Sequence, residues 1–133
     1  LEILPLKHII QIGIRSGTKN EFEEMKINNQ LLQFNIGDNN HELKKRLKPY
    51  LYSPIYITID LDWFDPSLLP GTGTPEPGGF FWNDFQTIID GLGEFNIVGG
   101  DIVELAPELD PSGVSSVVAA KVARSLIMTL DNL

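Results

Sequence analysis

The residues best suited to chemistry lie where Tyr56-Ile57-Thr58-Ile59 runs into Asp60-Leu61-Asp62. A run of β-branched and aromatic residues that stops on alternating acids reads as a buried strand whose C-terminal end presents both carboxylates. Strand ends of this kind are where open α/β sheets place ligands. Residues two apart along a strand share a face, so Asp60 and Asp62 are expected to reach one point in space. Two like charges that close repel, and exclusion of water raises the cost, so the pair calls for a cation or shared protons. A hard or borderline divalent metal is the simplest answer. The plainer role for an Asp at a strand end is to cap a turn, and Asp65-Pro66 is an ordinary turn opener.

The elements that must position these acids follow the same strand. Pro70-Gly71-Thr72-Gly73-Thr74-Pro75-Glu76-Pro77-Gly78-Gly79 is too stiff and too poor in apolar side chains for a helix or an interior strand. Its place beside the carboxylates makes it a shaped loop lining a site, with Thr72 and Thr74 as hydroxyl donors. It lacks the Lys-Ser/Thr ending of a phosphate-cradling loop. Asn83 reads as the N-cap of a helix through Phe85, Ile88, Ile89 and Leu92 that closes near Gly93. A further strand runs from Asn96 to Glu104 and again delivers acids, Asp101 and Glu104, at its end. Three apart on a strand they face opposite ways, so at most one joins the first pair, and Glu104, the last of the run, is favoured. After a Pro-containing connection, Val114, Val117, Val118, Val122, Leu126, Ile127 and Leu130 keep a helical period to the end of a closing helix.

Upstream, His8 to Ile14 reads as a first strand bracketed by His8 and Arg15. His8 is expected to be a partly exposed structural residue, and Arg15 to form a salt bridge to the fold rather than to anchor a ligand carboxylate. Residues 18 to 40 read as a short helix around Glu21 to Lys26, then loop with an apolar interruption at Leu31-Leu32-Gln33-Phe34. Gly37-Asp38-Asn39-Asn40 makes a turn into a helix from His41 to about Pro49, with Leu43 and Leu47 inward and Lys44-Lys45-Arg46 on the wet side. Strands alternating with helices imply right-handed crossovers and a parallel sheet, so Asp60, Asp62 and Glu104 are expected on one rim of an α/β fold.

With 133 residues the chain is bounded to a single domain. Ten basic against 18 acidic residues, net charge −8, argue against nucleic acid or an anionic membrane as partner and favour a cationic substrate or a metal. No apolar run reaches the length of a membrane span, nothing near the start resembles a signal peptide, and the absence of cysteine is compatible with a cytoplasmic home. The chain opens at Leu1 and reaches a sheet-like run almost at once, so it is expected to be the trailing part of something longer.

Several of these stretches together resemble a known family. Ile59-Asp60-Leu61-Asp62-Trp63-Phe64-Asp65-Pro66-Ser67, the Pro70 to Pro75 loop, Pro77-Gly78-Gly79, and Gly100-Asp101-Ile102-Val103-Glu104-Leu105-Ala106-Pro107 with Asp110 and Ser115 resemble the C-terminal half of the ureohydrolases, the arginases and agmatinases. The Gly-Thr-Gly-Thr-Pro-Glu-Pro-Gly-Gly wording and Gln11-Ile12-Gly13-Ile14-Arg15-Ser16 are more similar to agmatinase than to arginase. The resemblance spans nearly the whole chain. It implies a three-layer α/β/α fold in which residues 1–133 form the C-terminal portion of one domain. It also implies a binuclear manganese site that hydrolyses a guanidino compound, agmatine giving putrescine and urea, in polyamine formation. By the same resemblance Asp60 bridges both metals, Asp62 binds one, Glu104 grips the substrate guanidinium and Thr74 supports it. Guanidinobutyrate, guanidine and arginine are alternative substrates within the family, and a trimeric or hexameric homo-oligomer is its usual assembly.

The family carries further ligands in an N-terminal half: a His, an Asp-x-His-x-x-x-Asp run, and another His near the substrate. This chain has only His8 and His41, neither in such a motif. Two aspartates do not make a binuclear cage, so the residues here are expected to need that missing half and to be inactive alone. Two rivals differ in class. Phosphatases of the haloacid dehalogenase type share a bare Asp-x-Asp, although they usually carry a small β-branched residue where this chain has Phe64. A folded fragment serving only for binding or assembly is the other. The aromatic residues Trp63, Phe80, Phe81 and Trp82 flank the loop and suit either a pocket or core packing.

Overall fold

In Ile55-Tyr56-Ile57-Thr58-Ile59-Asp60 the isoleucines alternate with more polar residues, and this period of two fixes the strand on which the site is built. A computed structural model describes residues 4–32, 35 and 40–130 of the chain. The expected turn at Gly37-Asp38-Asn39 and the Gln33-Phe34 pair lie outside the described residues. Along the chain the elements are β1 (Gln11–Ile12), α1 (Lys19–Ile27), β2 (Leu31–Leu32), α2 (His41–Leu47), β3 (Ile55–Asp60), α3 (Trp82–Leu92), β4 (Ile97–Val103) and α4 (Val114–Leu130). Strand β1 pairs parallel with β2, and β3 parallel with β4, as the alternation of strands and helices requires.

Strand β3 differs from the expected buried strand. Ile55, Ile57 and Ile59 pack against the core, while Tyr56, Thr58 and Asp60 are exposed on the other face. The physical reason lies in what covers each face. Helix α4 lies over β4 on the isoleucine side, and Gly100 brings it close: a Cβ there would sit 3.0 Å from Leu126 Cδ2 and 2.6 Å from the Ile57 carbonyl oxygen. The core unites Leu43 and Leu47 of α2, Leu61, Phe64 and Leu69 after β3, Phe85, Ile89 and Leu92 of α3, Ile97, and Ala119 and Val122 of α4. The inward face of α4 is therefore narrower than its apolar stripe: Ser115, Ala119, Val122, Leu126 and Thr129 are buried, while Val114, Val117 and Ile127 are exposed.

Other boundaries move for local reasons. The expected first strand keeps only Gln11–Ile12 in a ladder: a 3-10 turn occupies Leu6–His8, and Gly13 at φ +76° turns the chain out. His8 is exposed and packs edge-on to the Tyr50 ring. Helix α1 begins in a reciprocal cap, the Glu21 N–H donating to Thr18 Oγ1 and the Thr18 N–H to Glu21 Oε2. These bonds hold the Glu21 carboxyl below its ordinary pKa. Leu31–Leu32, expected as loop, forms β2, which two residues are too few to announce. Helix α2 ends at Leu47 and continues as a 3-10 turn holding Pro49, and Arg46 donates to the Leu31 carbonyl instead of lying wholly in water. The N-cap of α3 is Phe81 rather than Asn83, because the Asp84 carboxylate accepts the Phe81 N–H at 2.9 Å.

Candidate functional site

Strand β3 ends at Asp60, so Asp62 lies outside the strand and the two acids do not share a strand face. A 3-10 turn over Leu61–Trp63 joins them instead. Asp60 Oδ1 accepts the Asp62 N–H at 2.9 Å, which ties the two residues together through the turn rather than through the pleat. Leu61 between them is fully buried and fastens the turn to the core, worth about 1.5–3 kcal/mol for a side chain of its kind. Trp63 stacks on Phe80 with centroids 4.5 Å apart and meets Phe64 edge-on. Trp63, Phe80 and Trp82 are thus packing residues, whereas Phe81 is exposed.

The loop after the turn is held at three places. Asp65 Oδ1 accepts the Ser67 N–H, and Oδ2 accepts the N–H groups of Gly78 and Gly79 at 3.0 and 3.1 Å. The Ser67 hydroxyl and N–H, helped by the two glycine amides, lower the Asp65 pKa. Gly79 is a glycine of necessity, since a Cβ there would lie 2.4 Å from the Asp65 nitrogen. At the second place, the Gly71 N–H donates to Ser115 Oγ at 2.8 Å, the Ser115 hydroxyl donates to Asp110 Oδ2 at 2.6 Å, and the Ala106 N–H donates to the Gly71 carbonyl at 2.8 Å. Hydrogen bonds from the Ser112 and Ser115 hydroxyls and the Ser115 N–H hold the Asp110 carboxyl far below the carboxylate range. At the third place, Thr74 Oγ1 donates to Asp62 Oδ2.

That last bond leaves Asp62 in an unusual state. Its second oxygen, Oδ1, is buried with no hydrogen-bond partner. A buried carboxylate oxygen without a donor is costly unless a cation meets it. Thr72 is also buried with an unpartnered hydroxyl, in the same loop.

Glu104 follows the last residue of β4 and takes φ +68°. Strand β4 has therefore ended before it, which frees its side chain from the up-and-down alternation that set it opposite Asp101. The register pairs Asp60 with Val103, so Glu104 begins one residue beyond Asp60 on the neighbouring strand. Its Oε2 lies 3.8 Å from where a Cβ on Gly73 would be, which brings Glu104 to the loop that carries Thr74. Asp101 is engaged elsewhere: it accepts from Thr58 Oγ1, and its hydrogen bond to Tyr56 raises that phenol's pKa. Asp60, Asp62 and Glu104 thus follow the C-terminal ends of β3 and β4, and Thr74 in the loop beside them bonds Asp62.

Arg15 does not form the expected salt bridge; among the described residues it enters no ion pair. It donates to the carbonyls of Trp63 at 2.9 Å, Asp62 at 2.6 Å and Glu76 at 2.9 Å. Sequence reasoning missed this role because backbone acceptors leave no mark in the sequence.

Two aspartates, one with a buried orphan oxygen, suit a divalent cation, and the all-oxygen donor set suits a hard or borderline ion. They supply only part of a coordination set, since among the described residues no three His, Cys, Asp or Glu side chains form a group able to hold a metal.

A model of the arginase family matches residues 1–129. The chain belongs to the arginase family. It is 35% identical over 130 residues to the agmatinase of Bacillus cereus, covering 96% of this chain and 44% of that enzyme. A solved structure from Clostridium difficile, provisionally described as an agmatinase, is 44% identical, with a TM-score of 0.79, covering 92% of this chain and 44% of the other. Proclavaminate amidino hydrolase from Streptomyces clavuligerus is 25% identical with a TM-score of 0.74, over 96% of this chain and 43% of its own. The parallel strands and helices form part of the arginase-like α/β fold. The chain spans less than half the length of these relatives.

Proposed function

We propose that this chain forms the C-terminal portion of an agmatinase-type ureohydrolase and contributes Asp60 and Asp62 to a binuclear manganese centre. The observation that carries the reading is the buried, unpartnered Asp62 Oδ1, held in place by a turn and a threonine. Asp60, with its exposed carboxylate at the strand tip, would hold metal together with Asp62. The remaining ligands come from the half of the family's fold that these residues do not cover. When bound, the two ions supply a water acidified from about 16 towards pH about 7 and an electrophilic hold on the reacting group.

The residues of this chain do the rest of the work on the substrate. Glu104 offers two oxygens to a planar guanidinium, a charge-assisted pairing that orients the carbon to be attacked. Thr74 keeps Asp62 from rotating, and the Glu104 carboxylate reaches the neighbouring Gly73. Water adds to the guanidino carbon, a carbon–nitrogen bond breaks, and the amine leaves with a proton as urea departs. Agmatine is the favoured substrate, because relatives named agmatinase match over most of this chain and the loop wording agrees with theirs. A cytoplasmic, homo-oligomeric enzyme of polyamine formation follows from the same reading.

The test is complementation. The chain, combined with an N-terminal half carrying the missing His and Asp ligands, should release urea from agmatine only with manganese present. Absence of urea release from a correctly folded complex, with manganese supplied, would favour a non-catalytic binding or assembly module.

A further inference from the structure

Arg15 is a half-buried cation that sends three hydrogen bonds from its two Nη atoms to backbone carbonyls. Nη1 donates to the Trp63 carbonyl, Nη2 to those of Asp62 and Glu76, and Nε is buried without a partner. The three acceptors lie on two segments: the turn that carries Asp60 and Asp62, and the far side of the loop that carries Thr74. A planar fork with fixed donor directions can span both, while an ammonium on a flexible stem cannot reproduce that geometry.

The approach of Arg15 is fixed two residues earlier. At Gly13 the backbone lies against the aromatic stack, where a Cβ would fall 2.3 Å from Trp63 Nε1 and 2.6 Å from Phe80. Gly13 also has φ +76°, which a side chain would disfavour. Trp63 is therefore gripped twice, its ring by Gly13 and Phe80 and its carbonyl by Arg15. The peptide that follows the Asp62 Cα is held by the same guanidinium.

We propose that Arg15 is a positioning residue that locks the Asp60–Asp62 turn and the 70–79 loop into one rigid unit, so that the free Asp62 oxygen meets a divalent cation without reorganisation. This rests on the metal role assigned above. The clamp acts by fixing the backbone from which the Asp62 carboxylate projects. Groups that orient metal ligands from outside the coordination sphere typically change metal affinity 10- to 100-fold when removed.

The experiment uses the complete enzyme and its Arg15→Lys and Arg15→Met variants. Manganese affinity is read from the electron paramagnetic resonance of free aqueous ion, and hydrogen exchange is read separately for residues 62–64, 70–79 and α4. The expected result is a dissociation constant weakened about tenfold in Arg15→Lys and at least as much in Arg15→Met, with faster exchange in the turn and loop and unchanged exchange in α4. Affinity within twofold of the unsubstituted enzyme, or faster exchange throughout α4 as well, overturns the proposal. If the unsubstituted enzyme takes up no manganese, the metal reading fails on its own account. The exchange pattern then decides the clamp, which stands only if the two segments loosen together while α4 does not. A variant that does not fold is bypassed by nitrogen-15 spectra of the unsubstituted protein: slowly exchanging, separately resolved Arg15 Nη protons support the clamp, and rotationally averaged ones refute it.

Discussion

Replacing Ser115 with Ala removes one oxygen and disconnects two parts of the molecule. Ser115 Oγ accepts the Gly71 N–H at 2.8 Å and donates to Asp110 at 2.6 Å, and Ser115 is fully buried. Gly71 is buried too, so its N–H finds no water when the acceptor goes. An orphaned buried donor costs about 1–3 kcal/mol, and the better helix propensity of Ala returns about 0.5 kcal/mol of that. For a chain of this size each kcal/mol lowers the midpoint by roughly 3–5 °C, so calorimetry should show Tm falling by about 2–12 °C. Ser116→Ala, one position along and without this bridge, should leave the midpoint within about 2 °C. Hydrogen exchange should also quicken in residues 70–74, because the loop loses its attachment to α4. A Ser115→Ala midpoint within about 1 °C of the unsubstituted protein would refute the reasoning.

Two further outcomes follow from the same geometry. Glu104→Gln keeps the shape but halves the charge-assisted pairing to a guanidinium, and steady-state urea release in the complete enzyme should show kcat/KM reduced about 10- to 100-fold. Asp110 has its pKa depressed in the folded chain by the Ser112 and Ser115 donors, so the folded state binds its proton less readily than the unfolded state. Its stabilisation is therefore complete above the ordinary carboxylate pKa of about 4 and is lost as pH falls below that value. Asp110→Asn should flatten that part of the acid limb of a stability-against-pH curve, and an unchanged limb counts against the Ser115 bridge.

Much of the fold was legible because its signals were local. The Ile-x-Ile-x-Ile alternation announced β3, the period of α4 ran through to Leu130, and the stiffness of residues 70–79 excluded regular structure. Strand β3 nevertheless proved open on its Tyr56 face, because a pattern of two tells which residues alternate and not what covers each side. Asp60 and Asp62 are linked otherwise than the strand period suggests. A pleat was expected where a side-chain-capped turn does the work, since a strand's last residue is set by hydrogen bonding that the sequence does not mark. Glu104 lies one residue past β4 with a left-handed φ, a departure from the strand that the alternation of side chains does not announce. The Arg15 bonds to backbone carbonyls, the Asp65 bonds to the Gly78 and Gly79 amides and the Ser115 bridge to Gly71 escape a sequence reading because their partners are distant or lie in the backbone.

The central claim is that the Asp60–Asp62 turn holds divalent metal in the complete enzyme. Metal content after dialysis, measured by inductively coupled plasma mass spectrometry, tests it most directly. The account predicts about two manganese per subunit in the unsubstituted enzyme and clear loss in both Asp60→Asn and Asp62→Asn, at unchanged fold by circular dichroism. Full manganese retention in both variants contradicts it.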